Sequence, residues 1–122
     1  MKLRILNNSI RLRLSQGELD KLKSDQRVSG KTSFSNFDFV YSIVVNNNED
    51  DVNAVFENGH LKINIAPSLS KEWINSDLVG FENKDQSTLK ISVEKDFQCL
   101  HKRPGEDETD SFPNPLAESQ SQ

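Results

Sequence analysis

At 122 residues with a formal net charge of −4, the chain has room for one domain with a real hydrophobic core and no need of a metal or disulfides to hold it. The single cysteine, Cys99, excludes an internal disulfide framework and suits a reducing compartment. No apolar run reaches the length that spans a bilayer, and Met1 is followed by charged residues rather than a signal peptide, so the expectation is a cytoplasmic protein with no membrane partner.

In chain order, residues 2–6 and 9–14 alternate apolar and polar and read as a hairpin, with Asn7-Asn8 suited to the positive φ values of a type I′ turn. Ser15-Gln16-Gly17-Glu18 reads as a capping box, and Leu14 and Leu19 as the hydrophobic staple around it. The helix it opens runs to about Asp25 with only Leu19 and Leu22 apolar, a thin amphipathic helix resting on a sheet. Strands are expected at 31–35 and 37–45. Phe37, Phe39, Tyr41 and Ile43 share one face of the second, and Val40 and Val44 make it apolar on both faces, as befits a central strand. The polar run 46–51 is the connecting loop.

A second hairpin, 52–57 and 60–65, surrounds Asn58-Gly59, the strongest turn signal in the chain. Pro67 stands at a first helical position, and the helix 67–75 presents Leu69 and Trp73 on one face. Strands at 78–82 and 88–94 close the pattern, joined by the charged loop 83–87. Residues 1–103 form the expected domain, in units 1–45 and 52–95. Residues 104–122 form an acidic tail with three of the four prolines, expected to be partly disordered at its end.

The two units align without a gap at an offset of fifty-one positions, about as a supersecondary repeat would. Leu3/Ala54, Ile5/Phe56, Ile10/Leu61, Leu12/Ile63, Leu14/Ile65, Leu22/Trp73 and Val28/Val79 keep apolar opposite apolar. The expected architecture is α+β: a strongly bent, mostly antiparallel sheet or open barrel of about eight strands, with two short helices and a duplicated ββα-containing unit. Its core should hold Leu3, Ile5, Ile10, Leu12, Leu14, Leu22, Phe39, Tyr41, Phe56, Leu61, Ile63, Ile65, Trp73, Val79, Leu89, Ile91 and Val93.

Charge is unevenly spread. Residues 1–45 carry +4, residues 46–103 carry −3 and residues 104–122 carry −5. In the first hairpin a two-residue turn sets Arg4 opposite Arg11 and Lys2 opposite Arg13 on one face. Like charges in direct opposition cost up to about 1 kcal/mol per pair unless something neutralises them. Lys2, Arg4, Arg11 and Arg13 are therefore the candidate anion-binding residues, for phosphate, a phosphorylated ligand, an acidic partner or a nucleic-acid backbone. The alternative is a solvated outer face whose long basic side chains guard an edge. Glu106, Asp107, Glu108 and Asp110 form the densest acidic run and are expected to fold back against these cations. Cys99 and His101 lack the further ligands that a metal or a catalytic dyad needs, so no metal, no cofactor and no catalytic residue is assigned.

The segments Asn8-Ser9-Ile10-Arg11-Leu12-Arg13-Leu14, Val93-Glu94-Lys95-Asp96-Phe97-Gln98-Cys99-Leu100, Gly105-Glu106-Asp107-Glu108 and Phe112-Pro113-Asn114-Pro115 together resemble a family of small uncharacterised bacterial proteins, over nearly the whole chain. That resemblance implies no activity. Repeated β-α-βββ units with Arg-x-Arg on a strand are also similar to the CYTH-like triphosphate tunnel proteins, which would imply interior cations around polyphosphate. Their opening Glu-x-Glu-x-Lys is replaced here by Met1-Lys2-Leu3-Arg4-Ile5. Residues 61–95 resemble swapped-hairpin transcription factors of the antitoxin type, with the departure that this segment is acidic. The leading expectation is a non-enzymatic binding module that uses the basic hairpin face. Its rivals are a phosphate-handling enzyme of the tunnel-barrel type and a DNA-binding dimer.

Overall fold

The structure is a computed structural model that describes residues 1–97. Its elements run β1 (Lys2–Leu6), β2 (Ser9–Leu14), α1 (Gln16–Asp25), β3 (Arg27–Ser33), β4 (Asp38–Val45), β5 (Val52–Glu57), β6 (His60–Ile65), α2 (Pro67–Ile74), β7 (Gly80–Glu82) and β8 (Lys90–Lys95). Turn chemistry builds the hairpins. Asn58 and Gly59 both have positive φ, 49° and 77°, as a type I′ turn requires. A Cβ on Gly59 would stand 2.1 Å from the Phe37 ring, so this glycine serves both the turn and a close approach. At the first hairpin only Asn7 has positive φ, 50°, so that turn is not type I′, although its two-residue register is as expected.

Helix α1 starts where the capping box places it. The Glu18 amide donates to Ser15 Oγ at 3.3 Å and the Ser15 amide donates to Glu18 Oε1 at 2.9 Å. The helix ends on Gln26 in the left-handed region, whose N–H donates to the Leu22 carbonyl. Helix α2 has no side-chain cap; Pro67 at its start needs no amide partner there. Leu22 and Trp73 are the buried large side chains of the two helices, and the Trp73 indole N–H donates to the Val79 carbonyl at 3.0 Å.

The strands form two separate four-stranded sheets, in the orders β1-β2-β8-β7 and β3-β4-β6-β5. Each sheet joins one hairpin from the first half of the chain to one from the second. The join is parallel in both cases, β2 with β8 and β4 with β6, while the outer pairs are antiparallel. The α+β class, eight strands and two helices agree with the sequence, and β4 is interior as its two apolar faces implied. The single bent sheet or open barrel does not: the sheets are mixed and do not close. The reason is that local turns make only antiparallel pairs. The pairs that complete each sheet form between strands distant in the chain, both running toward the helical end.

The core lies between the inner faces, with Leu12, Leu14, Ile43, Ile63, Ile65, Ile91 and Val93 fully buried beside Leu22 and Trp73. Leu3, Phe39, Tyr41 and Leu89 are partly buried against it. Three expected core residues are instead exposed: Ile5 at 60%, Phe56 at 63% and Val79 at 53%. Ile5 and Phe56 have the inward parity but sit near the tips of edge strands, beyond the reach of the opposing sheet. Val79 precedes β7, and Phe81 takes the place facing Val93 that Val28 takes facing Ile43. Val28, Ile43, Val52 and Ala66 complete the core unanticipated. Strand β3 begins at Arg27, four residues before the expected strand, because Val28 pairs with Ile43 directly after the helix cap.

Candidate anion-binding face

The four sequence-picked cations stand together. Alternation buries Ile10, Leu12 and Leu14 and turns Arg11 and Arg13 to the opposite, outward face, where the register sets Arg4 beside Arg11 and Lys2 beside Arg13. They line no lumen between the sheets. Because β8 lies parallel to β2, the rank through Arg4 and Arg11 continues to Ser92 and then Glu82, and the rank through Lys2 and Arg13 continues to Glu94 and Gly80. A third rank joins Leu6, Ser9 and Lys90.

Among the described residues, carboxylates of β7, β8 and the residue after β8 stand beside these cations. Glu94 Oε1 accepts from Arg13 Nε at 3.2 Å and Glu94 Oε2 lies 3.7 Å from Arg11 Nε. Lys2 Nζ is 2.9 Å from Asp96 Oδ2, and Lys90 Nζ is 3.4 Å from Glu82 Oε2. Exposed pairs of this kind contribute about 0–1 kcal/mol each, so they orient the guanidinium groups more than they stabilise the fold. Gly80 permits the arrangement: a Cβ there would stand 2.8 Å from Glu94 Cγ and 2.4 Å from the Val93 carbonyl oxygen. Glu82 is held below its ordinary pKa, first by the Gln86 amide and then by Lys90, and so stays ionised beside the cations.

A cleft of about 290 Å³ opens between the first and third of these ranks, lined by Arg4, Leu6, Ser9, Ile10, Arg11, Lys90 and Ser92. Three cations around one concavity are suited to an oxygen-rich anion, while the Ser9 hydroxyl donates to the Leu6 carbonyl at 2.7 Å and the Ser92 hydroxyl to Glu82 Oε2 at 3.4 Å. Lys90, Ser92 and Ser9 were not picked from the sequence. Their only sequence signal is the alternation of 88–94, which says nothing about which strand they will lie beside.

The loop that delivers Lys90 is fixed from below. Asn83 is buried; its amide nitrogen donates to the carbonyls of Asp85 at 2.7 Å and Leu89 at 2.8 Å, and its oxygen accepts from the Ile91 amide at 2.9 Å. Asp51, from the connection before β5, accepts from the amides of Lys84 and Asp85. Elsewhere, Ser42 Oγ lies 2.7 Å from His60 Nε2, a pair absent from the sequence reading. Ser42 is fully buried and cannot reach a substrate, so the pair satisfies polar groups rather than activating a nucleophile.

Among the described residues no three His, Cys, Asp or Glu side chains group as metal ligands, and no helix is long and apolar enough to cross a membrane. Cys99, His101 and the proposed tail contacts Glu106, Asp107, Glu108 and Asp110 lie outside the described residues.

The chain belongs to a family of unknown function, DUF7009, whose match covers residues 1–116 and so takes in both the folded body and most of the tail. No curated protein and no solved structure matches it.

Proposed function

We propose that the protein is a non-enzymatic binding module that holds a phosphate-bearing ligand in the cleft of Arg4, Arg11 and Lys90. The observation that carries this reading is the convergence of three cations on one concavity of the outward face. Those cations come from three strands, which only the complete sheet brings together. The outward orientation favours a surface receptor over a tunnel enzyme, whose cations would face a lumen.

The same proposal extends to the internal repeat, which the matching pairing orders of the two sheets support. On that reading the two sheets have diverged in charge: Lys62 and Asn64 stand where Arg11 and Arg13 stand, and Val40 and Val44 where Lys90 and Glu94 stand. The test is calorimetric titration with glycerol phosphate. The wild-type chain should bind it, and Arg11→Ala with Lys90→Ala should abolish the heat without lowering Tm by more than a few degrees. Equal binding by the double variant overturns the reading.

A further inference from the structure

A groove lies between α1 and α2, made of two adjoining cavities of about 580 and 250 Å³ that share Lys23 and Ile74 in their walls. Ser15 lines one end and Gln26 the other, so the groove runs the length of α1. The larger cavity is in part apolar. Leu19 and Ile74 pack on the core but are only half-buried, and Phe97 stands 65% exposed at its wall. The smaller cavity carries polar groups without a counterpart. Ser70 is 4% exposed, and among the described residues its hydroxyl has no hydrogen-bond partner. Lys23 and Lys71 are exposed in the same wall, and among the described residues neither has an ion pair. A buried hydroxyl without a partner is uncommon in a folded chain. One set among ammonium groups is suited to a carboxylate, which accepts from both kinds of donor.

The chain itself carries such carboxylates, and it leaves the described body at this groove. The Asp96 amide donates to the Leu14 carbonyl at 2.8 Å, which sets Phe97 in the wall of the larger cavity, and residues 98–122 start from that point. Helix α1 is about 15 Å long at 1.5 Å per residue. The eight residues between Phe97 and Glu106 reach about 26 Å when extended, so the acidic run 106–110 comes within reach of Lys23 and Lys71. The stretch that crosses the larger cavity holds Leu100, an apolar partner for Leu19, Ile74 and Phe97. The extent of the family, to residue 116, takes in all of these residues and stops short of the polar end 118–122. We infer that residues 98–110 form a strap laid along the groove between α1 and α2, with Glu106, Asp107, Glu108 and Asp110 facing Lys23, Lys71 and the Ser70 hydroxyl. The groove is a better seat for these acids than the outward hairpin face. It offers a buried donor and apolar walls, whereas the hairpin cations already have Glu94 and Asp96 beside them.

The experiment is backbone amide relaxation of the full chain by NMR. In the wild type, amides 106–110 should show order parameters near those of a rigid body, about 0.85. In Lys23→Glu with Lys71→Glu they should fall below about 0.6, the range of a flexible segment. Arg11→Gln with Arg13→Gln should leave them ordered. Ser70→Ala removes only a hydroxyl and should lower them by less in the same direction, which keeps the test valid if the charge-reversed protein folds poorly. A wild type already below about 0.6, a segment still ordered in the lysine variant, or one released by the arginine variant overturns the inference. So does order that appears only as the protein concentration rises, since the occupant of the groove would then be the same segment of a second copy.

Discussion

Ser15 and Glu18 show how much one residue pair can settle. Their reciprocal hydrogen bonds start α1, and Glu18 also receives the amino group of Met1. Ser15→Ala should therefore cost about 1 kcal/mol, read from the denaturation midpoint. Burial alone would raise the Glu18 pKa, but the hydrogen bonds from the Met1 amine and the Ser15 amide outweigh it and hold the pKa below its ordinary value of 4.5. A depressed folded-state pKa means the contribution is present above about pH 4.5 and is lost as pH falls below it. Glu18→Gln should flatten the acid limb of the stability curve in that window, measured by urea denaturation from pH 6 to about pH 3. Asn83 should matter more. Asn83→Ala removes three side-chain hydrogen bonds in a buried site and strands their backbone partners, so a loss of about 2–3 kcal/mol is expected.

At the scale of elements, the hairpins follow from local rules and the sheets do not. Alternation and Asn-containing turns locate β1, β2, β5 and β6 to the residue, and the capping box and Pro67 locate both helix starts. The parallel pairs β2·β8 and β4·β6 have no local signal, because strand pairing across tens of residues is decided by which hydrophobic faces remain uncovered. The four cations were legible for the same local reason, and Lys90, Ser92, Glu82 and Glu94 were not. Burial of Ile5 and Phe56 was misjudged because parity tells which face a residue is on but not how far the opposing sheet extends. Leu22 and Trp73, by contrast, anchor both helices on the core. Leu22→Ala should cost about 2–5 kcal/mol and Trp73→Ala about 3–5 kcal/mol, measured by chemical denaturation.

For the whole molecule, the exchange of hairpins makes the two halves inseparable. Neither 1–49 nor 50–122 retains a four-stranded sheet when alone, since each sheet takes two strands from either half. Separate fragments cut in the 46–51 loop should be largely unfolded by circular dichroism, and an equimolar mixture should regain the signal of the intact chain. Two independently folded fragments would show that the sheets are not the cooperative unit. Deleting 104–122 removes five carboxylates and should strengthen retention on a phosphate resin, with the difference shrinking as salt rises. Equal retention would mean that the acidic tail does not compete for the cations.

The distance in sequence between β2 and β8 also sets a timetable. Arg13 and Glu94 are 81 residues apart, whereas every strand of the other sheet lies within residues 27–65. During synthesis the second sheet has all its strands about thirty residues before β8 is finished, an interval of roughly 2–6 s at ordinary elongation rates. Lys90 and Ser92, two walls of the cleft, arrive with β8, the last strand among the described residues. The cleft therefore comes into being only when the two hairpins of its sheet have met, and a ligand held there would act as a latch on the entire fold rather than on one part. At a hundredfold excess over its Kd such a latch adds about 2.7 kcal/mol to unfolding.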